Sequence, residues 1–500
     1  MAEQSAESRE LLAAVDLGSN SFHLVVARLS DGQLVVVDRL REMVRLGSGV
    51  DETGRLSMPV ASAALECLAR FGQRLAEIPS ENVRAVGTNA LRRARNRSEF
   101  LQSAEQALGH SIQVISGIEE ARLVYLGVAQ SLPPDPERRL VLDIGGGSTE
   151  IILGEGMKTL ALESLHMGCV SMSDHYFARG HVSAEAFHEA ELAASLELRP
   201  VKNAFRQLGW KSVVGASGTI RAVAHLLQEL RGDREITLAG LDELKAMLLA
   251  EGGVSGPHFH GLSVERRPVL PGGLAVLRQL FVTFGIEKMR VAEGALREGL
   301  LYDLLGRLAH EDARERSVSN MQTRFHVDPQ QAERVEMTAL SLLDLVSVQW
   351  DLTSTLARQV LCWAARLHEV GLDIAHSQYQ KHGAYLLENA DMPGFPKEEQ
   401  YLLSALVCNH RRKLYPETVI RLPPGWHLKT YRLILLLRLA VVLHRTRAPD
   451  DVPILSASVA GETLHVRFPT GWLQQHPLTL ADLRQEQTLL RKSPVTLEFS

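Results

Sequence analysis

One pattern occurs twice in this chain and narrows what it can fold into. Leu140 to Gly154 reads LVLDIGGGSTEIILG, with Leu140, Val141, Leu142 and Ile144 before three glycines and Ile151, Ile152 and Leu153 after them. Short apolar runs bounded by a turn signal form buried strands, so a β-hairpin with polar atoms at its tip is expected here. Gly145, Gly146 and Gly147 lack a Cβ, so their amides can come close to an oxyanion, and successive N–H groups in such a turn make an anion-binding nest. Asp143 precedes the glycines and Glu150 follows them. Carboxylates beside a phosphate-sized pocket suit Mg²⁺, which shares its oxygen ligands among protein, water and phosphate. A lone triple glycine would more often be only a structural turn. However, Leu11 to Ala27, LLAAVDLGSNSFHLVVA, repeats the arrangement, with Asp16, Gly18, Ser19, Asn20 and Ser21 between apolar runs. Two such units far apart imply a duplicated fold, in which two facing lobes each lend a phosphate loop to the cleft between them.

Composition excludes several alternatives. At 500 residues the chain is too long for one core, and a prior of about 100–200 residues per domain gives roughly three or four domains. The formal net charge of −5 argues against a general nucleic-acid binder, so a polyanion would need a local basic lining. Cys67, Cys169, Cys362 and Cys408 are scattered with no CxxC pair, which fits a reducing cytoplasm. The polar first ten residues carry no signal-peptide pattern. The apolar run Leu433 to Leu443 is interrupted by Arg438 and too short to span a bilayer. Peripheral membrane association stays compatible with this reading.

The paired loops resemble those of the actin, sugar kinase and Hsp70 ATPase superfamily. Within it, five ordered motifs are similar to those of the exopolyphosphatase and guanosine pentaphosphate phosphatase family: DLGSNSFH at Asp16 to His23, ISGIEEAR at Ile115 to Arg122, DIGGGSTE at Asp143 to Glu150, GASGT at Gly215 to Thr219 and GALREG at Gly294 to Gly299. The resemblance implies an α/β fold of two actin-like, ribonuclease H-like lobes, 1–128 and 129–308. A helical domain resembling degenerate HD-type phosphohydrolases follows over 309–447, then a small α+β unit over 448–500. Alternating strands and helices in the first part support that class: a helix over Ser57 to Glu77 capped by Ser57, strands at Val83 to Gly87 and Ile112 to Ile115, helical sequence at Ala184 to Leu208 broken at Pro200, and a strand at Ser212 to Gly215. Beyond charged His310 to Ser317, helical periodicity dominates, with helices expected at Gln331 to Leu345, Ser354 to Leu372 and Thr430 to His444. Arg447 to Pro453 reads as a linker, and Ile454 to Val459, Thr463 to Phe468 and Val495 to Phe499 read as strands.

Phosphoanhydride hydrolysis needs neutralised phosphoryl oxygens, an in-line water and a group that orients or deprotonates it. Glu119 and Glu120 both sit where a helix starts, and the resemblance makes Glu120 the catalytic base. Asp143 and Glu150 are the candidate Mg²⁺ ligands, directly or through water. Asp16 is the matching acid of the first loop. Gly18, Ser19, Asn20, Ser21, Gly145, Gly146, Gly147 and Ser148 are expected to meet phosphate, as is Arg92 by resemblance. Gly215, Ser217, Gly218 and Thr219 form a strand-to-helix turn that presents backbone donors at a helix N-terminus. Arg297 reads as a structural ion-pair partner. Arg411-Arg412-Lys413 is a solvated loop or a polyphosphate contact. A monovalent cation such as K⁺ is a further candidate cofactor.

The activity expected from this reading is Mg²⁺-dependent exopolyphosphatase, releasing the terminal phosphate of inorganic polyphosphate. Its alternative is removal of the 5′ terminal phosphate of pppGpp, the guanosine 5′-triphosphate 3′-diphosphate, with room for both in one site. A kinase of the same superfold and a non-catalytic sensor are the rivals of other classes; EEAR and the presence of Glu120, Asp143 and Glu150 argue against them. The resemblance also implies a homodimer.

Overall fold

The computed structural model describes residues 11–500 apart from 31–32, 134, 178–179, 309–311, 449–455 and 492. Its two compact units are Met1–Asp312 and Ala313–Ser500. In the first, β1 (Leu11–Leu17), β2 (Phe22–Ser30) and β3 (Gln33–Glu42) form an antiparallel meander, and β4 (Val83–Gly87) and β5 (Ile112–Val114) extend it in parallel beyond β1. The same plan returns with β6 (Arg138–Ile144), β7 (Thr149–Glu155), β8 (Lys158–Leu165) and β9 (Ser212–Gly215), then β10 (Ile236–Thr237) and β11 (Lys288–Val291). Sheet orders are β3-β2-β1-β4-β5 and β10-β11-β9-β6-β7-β8. Apart from the edge strand β10 the two orders coincide, so the repeated motif belongs to repeated sheets.

Both sheets are covered on both faces, which explains why their central strands are apolar without interruption. Ala13, Val15 and Leu17 face an outer core with Leu68 and Phe71, whereas Leu12 and Ala14 face an inner one. The inner core also takes Val141, Ile152 and Val214 from the second sheet and is filled by helices Gly117–Ser131 and Leu296–Leu308. These helices touch backbone to backbone. A Cβ at Gly127 would collide with the Ala295 carbonyl oxygen, and one at Gly299 with that of Leu123. The last glycine of GALREG therefore serves helix packing.

Local outcomes differ from the expectations in a few places. Ser57 occupies the N-cap of helix Met58–Leu75, but its hydroxyl makes no capping hydrogen bond. The 184–208 stretch agrees with its expected break, being two helices, Ala184–Leu198 and Lys202–Leu208, divided around Pro200. The helix expected to reach Leu372 ends at Leu367, and a 3₁₀ turn, Val370–Asp373, follows. The last long helix begins earlier than expected, at Pro424, where proline's missing N–H costs nothing. Most of the Arg447 to Pro453 linker, the start of the strand expected at Ile454, and His310 lie outside the described residues.

The second unit is helical from Ala313–Arg324 to Pro424–Leu443, around Trp350, Trp363, Phe395 and Leu436. A small sheet of β12 (Ser456–Ala460), β13 (Thr463–Arg467) and β14 (Thr496–Phe499) shares this core through Ala457, Leu464, Val466 and Leu497. No helix among the described residues is long and apolar enough to cross a membrane.

Candidate active site

The tips of the two repeated hairpins meet in the first unit around a cavity of about 140 Å³. Strand register aims the acids there. Asp16 pairs with His23 across β1 and β2, and Asp143 with Glu150 across β6 and β7. The β6–β7 tip is closed by Gly145 N–H donating to Ser148 O at 2.9 Å. None of Gly145, Gly146 and Gly147 has positive φ. What requires glycine here is close approach: a Cβ on Gly146 would stand 3.0 Å from Ser19 Cβ, and one on Gly147 would strike the Asn89 carboxamide.

Asp16, Gly18, Ser19, Asn20, Ser21, Glu120, Asp143, Gly145, Gly146, Gly147, Ser148, Ser217, Gly218 and Thr219 all line the cavity. Ser217 caps helix Gly218–Arg231, accepting from Ile220 N–H at 3.1 Å, so the positive end of that helix faces the cavity. Three expected site residues stand outside the lining. Gly215 ends β9, packed against Ile220 and Met289. Glu150 is 1% exposed and accepts from Ser164 Oγ at 2.9 Å. Arg92 lies behind Glu120, donating from Nη1 to Glu120 Oε2 at 2.8 Å and to the Ile115 carbonyl at 3.1 Å.

The two adjacent glutamates have separate surroundings, because consecutive helical residues point about 100° apart. Glu119 is fully buried, bound by Arg122 Nε at 2.7 Å and Nη2 at 2.8 Å and by Arg84 at 3.4 Å. Asp303 completes this network through Arg84, Arg122 and Arg307. Glu120 faces the cavity, with one oxygen clamped by Arg92.

Acidic and basic walls meet here. Asp16 is pushed from 3.8 up to about 7 by burial and then by Glu120, and Asp143 likewise to about 7 by burial and then Glu120. Burial, then Glu120 and Asp143, also raise Glu150. Asp16 Oδ1 and Asn20 Nδ2 are buried without a hydrogen-bond partner. Opposite stand Arg221, Arg266, Arg297 and His23. Burial, then Arg297, drives His23 down to about 3. Arg297 Nη1 donates to His23 Nδ1 at 3.3 Å, so the neutral imidazole offers Nε2–H to Ser21 Oγ at 2.8 Å. Arg297, expected to be an ion-pair partner, lines the cavity and has no carboxylate within ion-pair distance among the described residues. Arg221 lies in the first turn after GASGT and was open to notice in the sequence; Arg266 follows no motif.

Among the described residues no three His, Cys, Asp or Glu side chains gather closely enough to hold a metal alone. Mg²⁺ does not ask for that, since it takes one or two carboxylates and completes its shell with water and substrate phosphate. The partnerless Asp16 Oδ1 and the desolvated Asp143 carboxyl fit such an ion.

Two family models match the chain: the Ppx/GppA phosphatase family over residues 25–308, and Ppx/GppA phosphatase, domain III, over 313–487. The guanosine-5′-triphosphate,3′-diphosphate pyrophosphatase of Aeromonas hydrophila is 40% identical over 476 residues, covering 95% of this chain and 96% of that protein. The same enzyme of Aeromonas salmonicida matches at 40% over the same shares. Among solved structures, a Ppx/GppA family member from Aquifex aeolicus is 28% identical with a TM-score of 0.51, covering 60% of this chain and 98% of that one. An exopolyphosphatase from Cytophaga hutchinsonii, 23% identical with a TM-score of 0.53 over 59% of this chain and 97% of its own, shares the fold. With paired actin-like lobes, a shared acid-lined cleft and matches across both units, this chain belongs to the Ppx/GppA phosphatase family.

Proposed function

We propose that this chain is a Mg²⁺-dependent phosphohydrolase that removes the terminal 5′ phosphate of pppGpp. The observation that carries the chemistry is Glu120, which faces both phosphate loops while Arg92 holds one of its oxygens at 2.8 Å. That contact leaves Oε1 to take a proton from water. The water oxygen bonds to the terminal phosphorus, the bond from that phosphorus to the bridging oxygen breaks, and orthophosphate leaves with the shortened nucleotide as the other product. Amides of the β6–β7 tip, the N-terminus of helix Gly218–Arg231 and Asn20 Nδ2 are the donors for phosphoryl oxygens. Arg221, Arg266 and Arg297 balance the charge that spreads over those oxygens. Mg²⁺, held by Asp143 and Asp16 with Glu150 behind them, supplies charge neutralisation when bound.

Support for the guanosine substrate is the 40% identity to pppGpp pyrophosphatases along 95% of the chain. The sequence expectation puts inorganic polyphosphate first, with pppGpp as its alternative. Gly146 and Gly147, packed against Ser19 and Asn89, belong to a loop that would meet a terminal phosphate in either substrate, and so do not discriminate between them. The test is phosphate release from pppGpp and, separately, from long-chain polyphosphate, each with and without Mg²⁺. Faster Mg²⁺-dependent release from pppGpp is expected. Preferred release from polyphosphate would overturn the substrate assignment.

A further inference from the structure

The helical unit contains its own cavity of about 340 Å³, which the proposed reaction does not use. Its floor is made by two helix ends. His368 caps helix Thr355–Leu367 and His410 caps helix Lys397–Asn409. Each ring meets the carbonyl three residues back through Nδ1, His368 to Ala365 at 2.6 Å and His410 to Val407 at 2.6 Å. A carbonyl only accepts, so Nδ1 carries the proton in both rings and each Nε2 is an acceptor. The rings are 1% exposed and 5.5 Å apart between centroids. His410 Nε2 has Tyr379 Oη at 3.5 Å, at the limit of a hydrogen bond. His368 Nε2 has no hydrogen-bond partner among the described residues, and the Glu369 carboxylate is 3.9 Å away. Burial lowers both imidazole pKa values, which keeps the rings neutral.

The rim has the opposite character. Arg411 lies over the Tyr379 ring, 4.5 Å from its centroid, and Arg412 is exposed beside it. Neither has a carboxylate within ion-pair distance among the described residues, whereas Arg445 pairs with Asp482 and Arg447 with Asp328. The rim is held in place from below. Fully buried Arg438 donates to the Asn409 carbonyl at 2.6 Å and the Arg412 carbonyl at 2.8 Å, and its Nε to Glu486 at 2.7 Å. The cavity thus offers imidazole acceptors inside and, at its rim, guanidinium groups with no carboxylate partner among the described residues. Its size matches a small-molecule site, for which about 300 Å³ is the lower bound. A metal ion is a poorer match, because Glu369 is engaged by Arg447 and no third ligand joins the two imidazoles among the described residues.

We propose that this cavity is a second ligand site, for a small phosphate ester of the nucleotide or sugar phosphate class, whose hydroxyl or amino groups donate to His368 and His410 while its phosphate rests on Arg411 and Arg412. Calorimetric titration of the full chain with GDP and with ribose 5-phosphate tests this, comparing wild type with an R411A/R412A double variant. Ligand taken up by the catalytic cleft is common to both proteins, so the difference isolates the second site. Wild type is expected to bind one more equivalent of at least one probe, with affinity for that equivalent at least tenfold weaker in the variant. GDP alone showing the effect assigns a nucleotide; ribose 5-phosphate showing it as well assigns the phosphorylated sugar. Val441→Trp, which fills the cavity from its wall, should abolish the extra equivalent while phosphate release stays at the wild-type rate. Equal stoichiometry and affinity in wild type and double variant would overturn the proposal. So would orthophosphate binding as tightly as the esters, or stoichiometric Zn²⁺ binding lost on His368→Gln.

Discussion

Asp143→Asn should stabilise the metal-free protein, by an amount that depends on pH. Asp143 is half-buried at the cavity wall and its pKa lies near 7 rather than 3.8, chiefly because desolvation and then the Glu120 carboxylate penalise its anion. In the unfolded chain the group ionises near 3.8. Between the two values the folded state keeps a proton that the unfolded state has lost, so this group's contribution to stability falls as pH rises from about 4 to about 7 and then levels off. Ionisation near 7 in place of 3.8 is worth up to about 4 kcal/mol, a large share of the roughly 5–15 kcal/mol that holds a domain together. Asparagine has no charge to bury. Near pH 4 the variant and wild type should be about equally stable, and at pH 8 in EDTA the variant should be more stable by up to about 4 kcal/mol. Using the difference between the two proteins removes His23, whose depressed pKa acts in the opposite sense, costing stability as pH falls below 6.5. The assay is urea unfolding read by hydrogen-exchange mass spectrometry on peptides covering β1 and β6. Saturating Mg²⁺ should erase the advantage by stabilising only the wild-type carboxylate. A difference that does not change between pH 4 and 8 in EDTA would refute the reasoning.

Glu120→Gln should keep substrate binding and lower turnover by roughly 10²- to 10⁴-fold, measured by phosphate release and by titration with substrate; unchanged turnover would remove its role as base. Glu119→Gln should instead cost about 3–5 kcal/mol of folding stability, because it leaves Arg84 and Arg122 buried and short of a charge. Thermal unfolding checks that cost, and turnover of the folded fraction should stay at the wild-type value. Gly299→Ala forces a methyl onto the Leu123 carbonyl and should destabilise the first unit by about 1–3 kcal/mol; a neutral result would mean that the two inner helices do not pack this tightly.

Much of the site was legible because its determinants are local. A strand–Asp–glycine–strand pattern fixes a hairpin and the residue at its tip, and pairing register then aims Asp16 and Asp143 at one cavity. Glu150 and Gly215 belong to the same motifs, yet sit one layer back. Glu150 is the cross-strand partner of both Asp143 and Ser164 and is taken up by the Ser164 hydroxyl on the strand beyond, and Gly215 packs beneath Ile220. The arginine wall was largely illegible. Arg266 follows no motif, and Arg297 within GALREG resembles a helix-surface ion-pair partner; Arg221 alone sits beside a motif, one turn into the helix after GASGT.

Sequence alone determined the duplicated sheets, the two hairpin loops and the pair Glu119-Glu120 at a helix start, since each follows from short-range periodicity and turn chemistry. Which glutamate faces the cavity was decided only by tertiary structure. The residues are neighbours on a helix, and what separates them is the company each meets: Arg84, Arg122 and Asp303 around one, the cleft and Arg92 around the other. The same holds for the cavity above His368 and His410, which are far apart in sequence and become one floor only where two helix ends converge.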